Sequence, residues 1–257
     1  MIQNFWKYIL IIFLFSSNLK STEYEITILA TNIANFGGIG EWSFSALLES
    51  EEESILFDTG FDENTVLHNA NLLKKDLSKV KKVILSHFHG DHTGGLIKLR
   101  KTYMNSNPKA FSDVYVAEGF FDQRFDEHGE LRGFIGGFNK VSDFKEKAEN
   151  LGINFIVIDE TYELAPNLVL SGPVERIFER VVVSPGFYLK ENGALVDDIL
   201  KDDQSLGIKT EKGWYMMSGC GHAGMMNTAH KFQQIENKDI YGAIGGFHLF
   251  RSTEVEI

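Results

Sequence analysis

Four side chains with metal-binding chemistry lie within six residues of this chain. They are His87, His89, Asp91 and His92, in the run Leu85-Ser-His-Phe-His-Gly-Asp-His-Thr-Gly-Gly-Leu96. Neutral imidazoles and carboxylates are ligands that Zn²⁺, Fe and Mn²⁺ prefer. A solvated, His-rich turn is the alternative, but it would not require the spacing His-x-His-x-Asp-His. The pattern therefore predicts a site for one or two divalent metal ions.

The residues on either side of this run indicate how the chain would hold it. Val83-Ile84-Leu85 is a short aliphatic run that is typical of a buried strand. Thr93, Gly94 and Gly95 allow a tight turn and the start of a helix. A strand that ends in a ligand-bearing loop would fix the ligands on a rigid element.

Two further histidines, His222 and His248, lie in glycine-bracketed turns after strand-like segments. Either one alone would be interpreted as a hydrogen-bonded turn histidine. Because a metal loop is already present, the ligand interpretation is favoured for His222, whereas the two interpretations are closer for His248. Cys220, the only cysteine, is either a small buried apolar residue or a functional thiol.

Asp58 follows a third apolar segment, in Phe57-Asp-Thr-Gly60. It could accept a hydrogen bond from a ligating imidazole and so fix the orientation of that ring. It could equally be a turn aspartate that accepts hydrogen bonds from neighbouring backbone N–H groups. Residue type alone leaves both interpretations open.

The pattern of apolar residues predicts an α/β chain with helices scattered among many strands. Strands are predicted over 24–31, 44–50, 54–60, 82–86, 113–117, 153–158, 168–170, 181–184, 204–209, 213–218 and 240–244. Helices are predicted over 62–78, 142–151 and 224–235. The segment 119–140 is rich in phenylalanine and glycine, which suits an insertion or lid over a site, or a loop whose phenylalanines simply pack on the domain.

Composition narrows the possible partners. A chain of 257 residues with 43% hydrophobic residues can bury one sizeable core, so one large domain is expected. The net charge of −11 and the absence of a Lys/Arg block argue against a nucleic-acid groove. A small-molecule substrate is predicted instead, and an anionic one is compatible because a metal ion supplies local positive charge.

The N-terminus predicts export. Residues 1–22 combine a basic start, an apolar run over 8–15 and small polar residues, which is the pattern of a secretory signal peptide. The domain would then span 23–257 in a periplasmic or secreted protein with no stable membrane association. An uncleaved membrane anchor is the alternative. The chain's one cysteine excludes an internal disulfide.

Together these motifs resemble the metallo-β-lactamase-fold superfamily, whose signature is the His-x-His-x-Asp-His loop. Within it, the chain is most similar to the branch of dihydropterin-linked ribofuranosylaminobenzene phosphate synthase-like proteins. Besides the central loop, the matching segments are Gly40-Glu-Trp-Ser-Phe-Ser45, Leu56 to Gly60, Asp203-Gln-Ser-Leu206, Gly219 to Asn227 and Gly245 to Leu249. The match runs in order over most of the predicted mature chain.

The resemblance implies an αββα sandwich with metals at one edge, between two sheets. It implies His87 and His89 on one metal, Asp91 and His92 on a second, and His222 as a further ligand, with His248 as another candidate. Zinc is the preferred ion, and iron and manganese are alternatives.

The resemblance also bears on the chemistry of the site. It implies a bridging water or hydroxide as the nucleophile, which Asp91 would orient as the catalytic residue. An acidic bridging ligand is expected on a late strand, and the candidates are Cys220, Asp202 and Asp203.

The predicted function is a metal-dependent hydrolase that uses metal-bound hydroxide on a small-molecule ester, phosphoester or lactone. One alternative is a dihydropterin-type transferase. The other is a non-catalytic metal-binding or sensor protein on the same fold, which the short stretch of chain after Leu249 favours.

Overall fold

Two β-sheets form the centre of the protein in a computed structural model that describes residues 23–178 and 186–249. The first sheet has the order β1-β2-β3-β4-β5-β6. Its strands are β1 (Glu25–Ala30), β2 (Ser45–Glu49), β3 (Ser54–Phe57), β4 (Lys82–Ile84), β5 (Asp113–Ala117) and β6 (Asn154–Ile158). Strands β1 to β3 pair antiparallel, whereas β3 to β6 pair parallel.

The second sheet comes from the C-terminal half of the chain, in the order β13-β12-β11-β8-β7. Its strands are β7 (Tyr162–Ala165), β8 (Leu168–Leu170), β11 (Ser205–Thr210), β12 (Gly213–Ser218) and β13 (Ile240–Gly245). Only β12 and β13 pair parallel in this sheet. A separate hairpin joins β9 (Tyr188–Glu191) to β10 (Ala194–Asp197).

Helices α1 (Thr65–Leu72), α3 (Leu96–Tyr103) and α4 (Val141–Asn150) cover the outer face of the first sheet, and α5 (Met225–Ile235) covers that of the second. The short helix α2 (Gly90–Thr93) belongs to the His-rich loop. None of the described helices is long and apolar enough to cross a membrane.

Three apolar clusters confirm the αββα layering. Successive strand residues point to opposite faces of a sheet. Leu56 and Val83 accordingly pack under the outer helices, while their neighbours Phe57 and Ile84 pack against the second sheet. On the far side, Trp214 and the α5 residue Phe232 form the third cluster. Four layers therefore stack as helix, sheet, sheet and helix.

The prediction of one helix over 62–78 is wrong. Helix α1 ends at Leu72, and Lys74 has a left-handed φ of +56° that a continuing helix does not allow. Leu77 instead belongs to a short 3₁₀ turn, Leu77–Lys79, in which the Ser78 N–H donates to the side chain of the N-cap residue Asp76. The apolar spacing is preserved because both pieces pack on the same sheet.

Other differences concern elements with weak sequence patterns. The sequence did not predict β7 or the hairpin of β9 and β10, which are short and partly exposed. The predicted strand 181–184 and the predicted signal peptide 1–22 lie outside the described residues.

Candidate metal centre

Parallel strands bring the predicted ligands to one edge of the sandwich. Strands β3 and β4 are parallel neighbours, and Asp58 and the His-x-His-x-Asp-His loop follow their carboxyl ends. Strands β12 and β13 are parallel neighbours in the second sheet, and the turns bearing His222 and His248 follow them. The edge between the sheets therefore collects all six predicted ligands.

Glycine allows the loops of the two sheets to meet. Gly219, directly after β12, lies so close to the first sheet that a Cβ would overlap the Ser86 hydroxyl. The Ser86 residue immediately precedes His87. Any other residue at position 219 would push the Cys220 turn away from the histidine loop.

The ligand atoms form three overlapping groups, each with all its atoms within 4.8 Å of one another. The groups are His87 with His89 and His222, His87 with His92 and Cys220, and Cys220 with His222 and His248. The His87 Nε2 and His89 Nδ1 atoms are 2.9 Å apart. Two ligands of one tetrahedral zinc ion, bound at about 2.1 Å, are separated by about 3.4 Å. The ring nitrogens thus already converge nearly as ligands of one ion would.

Electrostatics keep two of these imidazoles neutral. Burial, followed by the neighbouring imidazoles, lowers the pKa of His87 well below its usual value. Burial is also the main cause that lowers the pKa of His89 to about 3. A histidine binds a metal through a neutral ring nitrogen. Both rings are therefore in the ligating form at neutral pH.

His92 lies in a position that favours positive charge. Burial lowers the pKa of His92, but its electrostatic coupling to Cys220 and to the Asp58 carboxylate outweighs burial and raises the pKa well above its usual value, while burial raises the pKa of the Cys220 thiol. The Cys220 Sγ atom is 3.1 Å from His92 Nε2. The Asp58 and Asp91 carboxylates that favour a proton on His92 would also favour a cation beside it.

Asp58 orients two histidine rings, His92 directly and His87 through Ser86, in agreement with the interpretation of Asp58 as a hydrogen-bond acceptor for a ligating imidazole. Its Oδ2 atom is 2.7 Å from His92 Nδ1 and accepts a hydrogen bond from Ser86 Oγ at 2.8 Å. The same Ser86 hydroxyl is 2.9 Å from His87 Nδ1. These contacts fix both rings with their Nε2 atoms directed to the centre.

Asp91 provides a direct test of whether the site fits a cation. It is 8% exposed, and its Oδ2 atom is 3.5 Å from His92 Nε2. Its Oδ1 atom is buried and has no hydrogen-bond partner among the described residues. An unpartnered buried carboxylate oxygen is costly unless a cation balances it. The donor set and this oxygen together fit a divalent metal.

Two of the three candidate bridging ligands lie elsewhere. Asp202 accepts hydrogen bonds from Arg124 and from the Phe88 N–H, and Asp203 accepts one from the Ala223 N–H. Within the described part of the chain, neither aspartate belongs to a group of side chains close enough to hold an ion. Of the three candidates, the structure brings only Cys220 among the histidines.

A cavity of about 290 Å³ opens onto the centre. Its lining combines ligand candidates with aromatic rings, namely Trp42, Phe61, His89, Asp91, Phe134, Phe187, Cys220 and His248. A neighbouring cavity of about 460 Å³ shares Trp42, Asp91, Cys220 and His248.

The aromatic wall of this cavity includes the predicted insertion. The Phe134 ring, from segment 119–140, lies 5.9 Å from the His89 ring and 6.3 Å from the Phe61 ring. Sequence reasoning missed Trp42, Phe61 and Phe187 as wall residues. Their only signal was their place in loops next to predicted strand ends.

Comparison with known proteins identifies a family that has the fold described above. The sequence model of the metallo-beta-lactamase superfamily matches residues 43–225. A 7,8-dihydropterin-6-methyl-4-(beta-D-ribofuranosyl)-aminobenzene-5'-phosphate synthase from Methanocaldococcus jannaschii is 33% identical over 249 residues, covering 93% of this chain and 82% of the relative. The uncharacterized protein MJ0448 from the same organism is 29% identical, covering 87% of this chain and 79% of its own length.

A solved structure agrees with the fold. The crystal structure of Tm1679, described as a metal-dependent hydrolase of the beta-lactamase superfamily, superposes with a TM-score of 0.71 at 27% identity. The match covers 91% of this chain and 80% of Tm1679. The predicted fold and the resemblance to this superfamily and branch are both confirmed.

Proposed function

The chain belongs to the metallo-beta-lactamase superfamily, and on that premise we propose that it is a metal-dependent hydrolase of a small-molecule ester, phosphoester or lactone. The observation that carries this proposal is the position of Asp91. Its unpartnered Oδ1 atom lies beside the converging imidazoles, and the residue lines both cavities. A cation held there would be open to a substrate of small-molecule size.

Two groups of side chains would hold the ions. His87, His89 and His222 would hold one ion, and His92, Cys220 and Asp91 would hold the second, with His248 at its edge. We propose zinc, since imidazole and thiolate ligands together suit it, with iron and manganese as alternatives. When bound, such an ion supplies Lewis acidity and an activated water near neutral pH.

The remaining chemistry belongs to the chain. Asp91, whose carboxylate is only partly satisfied by His92, would orient the attacking water and hold its proton. Trp42, Phe61 and Phe134 would contact the apolar part of a substrate and exclude bulk water from the reacting bond. Asp58 would keep His92 in one orientation throughout.

The test begins with metal analysis of the purified protein, followed by rates on bis(4-nitrophenyl) phosphate, 4-nitrophenyl acetate and a γ-lactone. We expect one class to be hydrolysed, activity to be lost with chelator and restored by Zn²⁺, and Asp91→Asn to lower kcat by about 10²- to 10⁴-fold. Asp143→Asn, an exposed carboxylate on α4, is the matched control. Full activity in the metal-free protein or in Asp91→Asn would overturn the proposal.

One relative favours a second candidate, a transferase acting on a dihydropterin. The 33% identical relative from Methanocaldococcus jannaschii is a synthase whose name contains a dihydropterin and an aminobenzene. The aromatic wall formed by Phe61, Phe134 and Phe187 would suit planar rings, which stack on aromatic side chains. Incubation with a 7,8-dihydropterin that carries a diphosphate leaving group on its 6-methyl carbon, together with a ribofuranosylaminobenzene phosphate, followed by mass spectrometry for the joined product and the released diphosphate, separates the two candidates. A joined product with no hydrolysis of the chromogenic esters would favour the transferase.

A further inference from the structure

Asp202 and Asp203, which precede β11, each accept a hydrogen bond from the backbone of a different histidine-bearing loop. Asp202 Oδ2 accepts a hydrogen bond from the Phe88 N–H at 2.8 Å. Asp203 Oδ2 accepts one from the Ala223 N–H at 2.7 Å. Phe88 lies between His87 and His89, and Ala223 directly follows His222. One dipeptide thus contacts both halves of the candidate centre.

We infer that Asp202 and Asp203 are positioning residues that fix the His87–His89 loop relative to His222. The α-carbons of adjacent residues are about 3.8 Å apart and cannot move independently. Two loops bonded to such a pair are therefore held at a set separation. This inference rests on the proposed metal centre, because His87, His89 and His222 are the side chains assigned to one ion.

A buried ion network makes this dipeptide a rigid reference point. Arg124 Nη2 donates to Asp202 Oδ1 at 2.8 Å, and Arg124 Nε donates to Asp198 Oδ2 at 2.9 Å. The Arg124 guanidinium also lies 3.8 Å from the centre of the Phe88 ring. All three charged side chains are at most 2% exposed. Removing one partner of a buried ion pair is strongly destabilising, so these side chains hold one another in place.

The contact between the dipeptide and the metal loop continues one residue further. The Gln204 N–H donates to the Ser86 carbonyl at 2.9 Å, and the Gln204 side chain donates to the Leu85 carbonyl at 3.0 Å. The segment 202–204 therefore follows the metal loop from Leu85 to Phe88. Only Asp203 turns away from that loop, toward His222.

Asp198 offers a comparison that separates positioning from general stability. It is fully buried and shares Arg124 with Asp202, but its other carboxylate oxygen accepts from the Leu200 N–H. Removing Asp198 or Asp202 leaves Arg124 with one carboxylate partner fewer in either case. Only the loss of Asp202 also releases Phe88.

The experiment is a Co²⁺ titration of the metal-free full-length protein, followed by visible absorption, with folding checked by circular dichroism. We expect Asp202→Ala and Asp203→Ala to weaken Co²⁺ binding by about 10- to 100-fold and to change the cobalt ligand-field spectrum. We expect Asp198→Ala to lose less than about threefold, below the range for residues that orient ligands. Asp203→Asn retains an acceptor for the Ala223 N–H and should restore both affinity and spectrum.

Each outcome separates the inference from the proposed function. A wild-type protein that binds no Co²⁺ would overturn the metal centre and the inference with it. Normal binding by Asp202→Ala and Asp203→Ala, or an equal loss in Asp198→Ala, would overturn the inference alone. If the alanine variants fail to fold, Asp202→Asn and Asp198→Asn replace them. Arg124 requires the amide oxygen as its acceptor, so the amide N–H groups would face the Phe88 N–H in Asp202→Asn and the Leu200 N–H in Asp198→Asn. Only Asp202→Asn would therefore release the metal loop, and only it should weaken binding tenfold or more.

Discussion

The two sheets contribute to the candidate centre in different ways. The first sheet supplies His87, His89, Asp91 and His92 from one loop, after a single strand. The second sheet supplies Cys220, His222 and His248 from turns after two strands. The first set is a local arrangement that the backbone of one loop fixes, whereas the second exists only because two strands pair in parallel.

The two halves also differ in how their histidine side chains are held in place. Asp58 and Ser86 hold the rings of His87 and His92 through side-chain hydrogen bonds of 2.7 to 2.9 Å. His248 instead has a left-handed φ of +53°, which a non-glycine residue adopts at a cost. We therefore expect the first-sheet half to dominate metal affinity, and the following predictions test that asymmetry.

The largest effect is expected for His87→Ala. His87 is a proposed ligand of the first ion, and its ring nitrogen also lies within 4.8 Å of the His92 and Cys220 atoms proposed for the second, so its loss would remove one ligand and open the space between the two ions. Metal affinity should fall by more than the roughly 100-fold that loss of a supporting residue costs. Elemental analysis after dialysis measures the bound metal. His128→Ala, which removes an exposed histidine, is the control. Full metal content in His87→Ala would contradict the prediction that the first-sheet half dominates metal affinity.

A smaller and unequal pair of effects is expected within the second-sheet half. His222 is 1% exposed and belongs to two ligand groups, whereas His248 is half-buried and belongs to one. Zinc competition against a chromogenic chelator should show a larger loss for His222→Ala than for His248→Ala. The reverse order would mean that the turn after β13, not the turn after β12, closes the site.

Asp58→Asn tests the support of the first half. The amide keeps the size of the side chain but places an N–H donor where Ser86 Oγ and His92 Nδ1 need an acceptor. We expect metal affinity to fall by about 10- to 100-fold. Asp62→Asn, an exposed turn aspartate four residues later, should bind metal normally. Unchanged metal affinity in Asp58→Asn would show that Asp58 is a turn residue that does not orient the ligands.

The last effect concerns the pH dependence of the stability of the metal-free protein, not its metal affinity. The pKa of His89 is lowered to about 3 from its ordinary 6.5, so the unfolded chain binds its proton more readily. The stability that His89 contributes is therefore complete above pH 6.5 and is lost as pH falls from 6.5 toward 3. Its slope is at most about 1.4 kcal/mol per pH unit.

Comparison with His89→Asn isolates this effect, because other buried groups titrate in the same range. Burial raises the pKa of Asp203 to about 7, which gives a slope of opposite sign. Denaturant unfolding of both proteins between pH 4 and 8 measures the difference. The free energy of unfolding of the wild type relative to His89→Asn should rise up to pH 6.5 and then stay constant. A flat difference would show that His89 is not held in the neutral form.

Sequence patterns predicted the fold well where a strand is buried on both faces. The apolar runs of β3, β4 and β5 were recognisable because helices cover one face and the second sheet covers the other. The strand β7 and the hairpin of β9 and β10 are partly exposed and carry no comparable run. Helix α1 was predicted too long because apolar spacing continues through the break at Lys74.

The sequence by itself determined the class of the site. Three imidazoles and a carboxylate at His-x-His-x-Asp-His spacing need only one loop to converge. The sequence of that loop is therefore enough to predict a metal site. The tertiary structure decided which distant groups complete that loop. It placed Cys220 against His92, and it turned Asp202 and Asp203 from candidate ligands into hydrogen-bond acceptors for the loops. The spacing of residues along the chain does not show which strand ends become neighbours, because the pairing of strands from distant segments determines which loops lie together.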